Sequence, residues 1–136
     1  MSKGNAFETQ LLDKIFTAAS IPWDGNTQLY VALHTADPTE SGNQTSSEIS
    51  YTGYARVAVA RSGAGWTVSG NAATNAAAIT FPQCAGGSGT ATHFSVGTRM
   101  TGAGELLYIG ALDASLAISN GITPNFAAGD LDVTED

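Results

Sequence analysis

The chain has 136 residues, of which 43% are hydrophobic and only 12% charged, with a formal net charge of −7. That length suits one domain able to bury roughly two thirds of its unfolded surface, so neither a metal nor a disulfide is needed for folding. Five scattered basic residues (Lys3, Lys14, Arg56, Arg61 and Arg99) exclude a groove that tracks a phosphate backbone and attraction to an anionic membrane.

In chain order, the first segment is the one helix candidate. Asn5 and Glu8 are spaced as a capping box. Phe7, Leu11, Leu12, Ile15 and Phe16 follow at helical spacing as one apolar stripe, and Ser20-Ile21-Pro22 is expected to end the helix. Such a helix either covers a sheet or serves as an arm that docks on a partner. Glu8 and Asp13 interrupt any apolar run, so no signal peptide is expected, and no stretch approaches the ~18 apolar residues of a membrane span. Asp24-Gly25-Asn26 signals a turn, after which Leu29, Val31 and Leu33 alternate as a strand. Residues 35–50 are polar and acidic and read as an extended surface loop.

Short strands separated by Gly and Asn make up the rest. They are expected over Tyr54 to Arg61, from Trp66 to Val68 with a turn at Ser69-Gly70-Asn71, and over Ala78 to Phe81. Further strands are expected over Thr92 to Gly97, over Glu105 to Ala111, and around Leu116 and Ile118 before the tight-turn pair Asn120-Gly121. Residues 72–78 read only as an Ala-rich bias, and Gln83 to Gly89 as a Gly-rich loop holding Cys84. As Cys84 is the only cysteine, no intramolecular disulfide is possible, which suits synthesis in a reducing cytoplasm. Ile122, Phe126, Leu131 and Val133 complete the pattern. A turn every ~8–12 residues is the cadence of an all-β sandwich or barrel. The expectation is therefore one all-β sandwich domain over residues 1–136, with residues 1–20 as an N-terminal helix or arm.

The residues offer little catalytic chemistry. His34 and His93 with Cys84 lack the ligand number and spacing of a zinc site. Gly86-Gly87-Ser88-Gly89-Thr90 fails the last position of a nucleophile elbow, and no phosphate-binding glycine loop is present. The carboxylates gather in the 35–50 loop and at the C-terminus, without the oxygen-ligand spacing of an EF-hand. Trp23 and Trp66 are candidates for a sugar-stacking platform, with core packing as the simpler alternative. The sequence thus points to a protein without catalytic residues, metal or cofactor.

Four stretches taken in order carry a resemblance. They are Leu29 to Thr39, Gly53 to Val57, Thr92 to Gly97, and Phe126 to Thr134. Together with the amphipathic start, they resemble a family of small bacteriophage virion proteins described as head decoration (cement) or tail-associated proteins. The resemblance implies a β-sandwich, with a jelly roll as one form of it, and a structural role. It implies a protein made in the bacterial cytoplasm that binds the outer surface of the head, with the major capsid protein and further copies of itself, as a dimer or trimer, for partners. A tail or tail-fibre component is the alternative, and a carbohydrate-binding adhesion module a third. The available extensions supply the expected partner interface: Phe7 and Leu11 on the helix, Asp37, Glu40 and Glu48 on the loop, Tyr51 and Tyr54 just after it, and Asp130 and Asp132 in the tail.

Overall fold

A run such as Leu29-Tyr30-Val31-Ala32-Leu33-His34 makes a half-buried strand if only one face meets a core, and a central strand if both do. The computed structural model, which describes residues 1–136, shows the second case. In β2 (Gln28–His34), Val31, Ala32, Leu33 and His34 are all buried. This strand lies inside an antiparallel sheet of five, ordered β1-β8-β7-β2-β3, whose other members are β1 (Ser2–Lys3), β3 (Val57–Ala60), β7 (Ser88–Gly97) and β8 (Leu106–Ser119). A second sheet of three is ordered β10-β5-β4, from β10 (Asp132–Thr134), β5 (Ala72–Asn75) and β4 (Trp66–Ser69). The short strands β6 (Ile79–Thr80) and β9 (Asn125–Phe126) form a third pair. The fold is an all-β, sandwich-like arrangement with one helix, α1 (Asn5–Thr17). Sheets of five, three and two strands replace the eight-strand, two-sheet plan of a jelly roll.

One core joins the three sheets. Val31 and Leu33 of β2 and Phe94 and Val96 of β7 share a cluster with Ile79 of β6, Val133 of β10, and Phe81 and Leu131. Phe81 is 1% exposed and packs among aromatic rings, stacked on Tyr54 and edge-on to Phe126, both at 6.3 Å between centroids.

Several expected boundaries move, each for a physical reason. The capping box does not form. The N-cap is Gly4, without a side-chain cap, and Asn5 is already helical. Gly4 lies so close to β8 that a Cβ there would overlap the Leu106 carbonyl. The free helix donor at Asn5 N is instead satisfied by the Glu40 carbonyl at 2.8 Å. The helix also stops before Ser20-Ile21-Pro22, because Ala18 takes a left-handed conformation (φ 58°) and Ala19 N–H closes on the Asp13 carbonyl at 3.2 Å. The two expected strands around 105–118 are one 14-residue strand, β8, running past a register shift between Ala91 and His93 of its partner β7. Asn120-Gly121 does turn the chain, with Gly121 at φ 91°, yet it opens no hairpin. The turn is held to the Cys84 segment by Cys84 N–H to the Ile122 carbonyl and Gly121 N–H to the Cys84 carbonyl, both at 2.8 Å. Two strands were not expected: β1, which pairs with β8, and β5, drawn from the Ala-rich stretch.

Candidate interaction surface

The expected extensions divide into those the body absorbs and one it leaves out. Residues 35–50 are absorbed. This segment folds back over the sheet as a strap, with Thr35 N–H to the Ser47 carbonyl, Gln44 N–H to the Ala103 carbonyl and Ile49 N–H to the Leu33 carbonyl, at 2.8–2.9 Å. Gln44 is fully buried, donating through Nε2 to the Arg99 carbonyl (3.1 Å) and accepting through Oε1 from Arg99 N–H (3.0 Å). Gly97 and Gly104 leave the space its amide fills, since a Cβ at either would overlap it. Sequence reasoning passed over Gln44, and only the small residues facing it hint at its place.

Glu48, expected at a partner interface, is an internal anion. Arg56, 5% exposed, grips it with Nε at 2.8 Å and Nη2 at 2.9 Å, and donates further to the carbonyls of Arg99 (3.0 Å) and Gly102 (2.8 Å). The Tyr54 hydroxyl donates to the same carboxylate at 2.8 Å, and burial next to that charge pushes its pKa well up. Tyr51 is 6% exposed, donates to the Pro82 carbonyl at 2.6 Å and packs edge-on to Tyr54. Glu48, Tyr51 and Tyr54 are therefore brought together, but as an interior cluster whose polar atoms already have partners.

The C-terminal segment is no free tail either. Leu131 and Val133 are buried, β10 pairs with β5, and Asn75 anchors the approach by accepting from Leu131 N–H and donating to the Ala127 carbonyl, each at 2.9 Å. Asp130 and Asp132 remain exposed and, with Asp113, line an open cleft of about 580 Å³. Asp37 and Glu40 are exposed on the strap, where Asp37 Oδ1 accepts from Thr39 N–H at 2.8 Å. Glu135 holds the two ends of the chain together, paired with Lys3 and accepting from the Tyr108 hydroxyl at 2.6 Å.

His34 is enclosed, with Nδ1 2.9 Å from the Ser46 carbonyl and Nε2 2.8 Å from Ser95 Oγ. Ser95 is equally buried, so no substrate reaches the pair. Burial lowers the His34 pKa from its ordinary value. Unfolding therefore takes up a proton below pH ~6.5, and stability falls as pH drops from there through the depressed folded pKa, by at most about 1.4 kcal/mol per pH unit. Urea midpoints between pH 7.5 and 5 should show this slope, and His34→Gln should flatten it. Trp23 offers no free stacking face for a sugar. Its ring packs on Phe7 (5.6 Å), Arg61 lies over it at 5.1 Å, and its N–H donates to Gln10 Oε1 at 2.7 Å.

Helix α1 is the extension left out. Phe7 is buried against Trp23 and Tyr108, both at 5.6 Å, and Leu11 is half-buried, so only the first part of the apolar stripe covers the body. Leu12, Ile15 and Phe16 are 57%, 69% and 79% exposed. The body grips the helix through Phe7 and through Gln10, which donates to Glu105 at 2.7 Å, and this turns the later apolar residues outward.

These features define a small all-β, sandwich-like protein that carries an apolar helical ridge outside its own core. The chain belongs to the family described as Podophage GP4 fiber I protein gp80, whose model matches residues 2–134. It is thus a bacteriophage structural protein, and the virion is its place. Among curated proteins none matches it.

Proposed function

We propose that this protein is a structural component of the podophage tail-fibre assembly, attached through protein contacts and contributing no catalytic step. The observation that carries the reading is the ridge Leu12, Ile15 and Phe16, exposed on a body whose other long segments are tied down. Leaving three large apolar side chains in water forgoes burial free energy, and clustered exposure of this kind marks a contact surface. The family description supports a fibre location. Few charges on the remaining surface suit dense packing of neighbours.

Head decoration, with the major capsid protein as partner, is the second reading. It rests on the ordered stretches from Leu29 to Thr134, which resemble decoration and tail-associated proteins alike. A cryo-EM reconstruction of the particle separates the two. Density for this fold along the fibre or its attachment supports the first, whereas density on the outer shell at two-fold or three-fold positions replaces it with the second.

A further inference from the structure

Strand β8 is paired along only part of its outer edge. On that side β1 meets Tyr108 and Ile109 and goes no further. Residues 111–118 are backbone-bonded to β7 alone, and the register shift there leaves Leu112 to Ser115 without register partners even on β7. An unpaired edge is a template for another strand. Apart from that bulge, β8 has none of the usual devices against strand addition: Ala111 to Ser119 contain no Lys and no Pro, and Asp113 is their one charge. The open cleft of about 580 Å³ lies beside this edge. Buried Phe94 and Leu131 and half-buried Leu112 give it an apolar floor, Met1 lines it next to β1, and exposed Asp113, Asp130 and Asp132 stand around it. None of these three carboxylates is in an ion pair, no Lys or Arg lines the cleft, and the Met1 ammonium is turned to Asp136 at 3.9 Å.

We infer that this cleft docks an extended basic segment of another virion protein, added as a strand to the β8 edge in line with β1. The inference rests on the assembly reading above and gives the chemistry of the partner. Shape, backbone and charge agree. A strand of about seven residues beside β8 would send every second side chain inward, three or four in all. That is roughly the number of apolar side chains the cleft holds at protein packing density. The N–H and C=O groups of the added strand would meet those that β8 leaves free, which is the source of affinity in strand addition. The unpaired carboxylates, Asp113 on β8 and Asp130 and Asp132 on the opposite lip, favour Lys or Arg in the segment, with their aliphatic stems against the apolar walls.

A second copy of this chain does not supply such a segment. Of its five basic residues, Arg56 is buried, and Lys3 and Arg61 are paired with Glu135 and Asp24. Lys14 and Arg99 stand alone, on α1 and in the turn after β7. A net charge of −7 on each copy also opposes docking of one acidic chain in the acidic cleft of another. The partner is therefore a different protein.

An array of overlapping peptides of about twelve residues, covering the other proteins of the particle, tests the inference on the full chain. Fluorescence anisotropy then gives the affinity of each peptide retained. The retained segment should be basic, and its binding should slow hydrogen exchange at the amides of Ala111 to Ser119. Asp113→Asn, Asp130→Asn and Asp132→Asn together should weaken binding roughly five- to fiftyfold at low salt. All three residues are exposed, so the melting temperature should not change. Asp13→Asn, Asp37→Asn and Glu40→Gln together remove the same charge away from the cleft, and binding should stay within about twofold of wild type. Equal losses in the two triple variants would reduce the contact to attraction by net charge and overturn the inference. Binding that leaves exchange along β8 unchanged would overturn it as well. So would an array that retains no basic peptide, and fibre density in the particle reconstruction would then leave the virion role standing alone.

Discussion

Arg56→Ala should lower the unfolding free energy by about 3–5 kcal/mol, the usual cost of removing one partner of a buried ion pair. The argument rests on what remains after truncation. Glu48 loses both guanidinium contacts and keeps only the Tyr54 hydroxyl, while the Gly102 carbonyl loses its side-chain donor and the Arg99 carbonyl keeps only that from Gln44. An unpaired carboxylate in that position is far costlier than the same group in water. Replacing both charges, as Glu48→Gln with Arg56→Met, should recover much of the loss, because no charge is then left unpaired. Urea denaturation of the single and double variants gives the comparison directly. Equal losses would show that the pair acts through packing and not through charge. The consequence reaches beyond stability. Arg56 ties the strap to the turn between β7 and β8, so the single variant should also raise hydrogen exchange at the Gln44 and Arg99 amides.

Phe81→Ala should cost a similar amount, about 3–5 kcal/mol. The ring is 1% exposed, lies between Tyr54 and Phe126, and sits where the short β6–β9 pair meets the main core. Its loss opens a cavity that the flanking rings cannot fill, since Tyr54 is held by Glu48 and Phe126 by strand pairing and by Phe94. Thermal unfolding with a calorimetric baseline measures this, and a loss below about 1 kcal/mol would mean that the core collapses into the space. Domains of this size are commonly stable by about 5–15 kcal/mol. Either variant therefore approaches the limit of folding, whereas substitutions on the exposed α1 ridge should leave stability nearly unchanged. That contrast separates residues that hold the protein together from residues it presents to others.

Much of the architecture was legible because periodicity is a local property. The alternation of Leu29, Val31 and Leu33, the glycine turns at Gly70 and Gly121, and the spacing of short strands all follow from backbone geometry and the solvent preference of side chains, which neighbouring residues alone can reveal. The apolar stripe of α1 was legible in the same way, and so was the scarcity of charge. Nothing local says which side of that stripe the body will grip. Phe7 was retained and Phe16 expelled because Trp23, Tyr108 and Glu105, distant in sequence, arrive beside the first two turns of the helix and not the last.

The same reason explains how the loop and the C-terminal segment settle on the body. Glu48 reads as one more acid on a polar loop, and it becomes an interior anion only when Arg56 and Tyr54 close around it. Asp130 to Asp136 reads as a tail, yet β10 exists because β5 offers it an edge and Leu131 a place in the core. Composition and periodicity by themselves determined an all-β chain with one amphipathic helix and few charges. Which of its apolar surfaces stayed in water, and which of its charges went inside, was decided only by tertiary structure, because burial is set by the residues that meet across the fold and not by those adjacent in the chain.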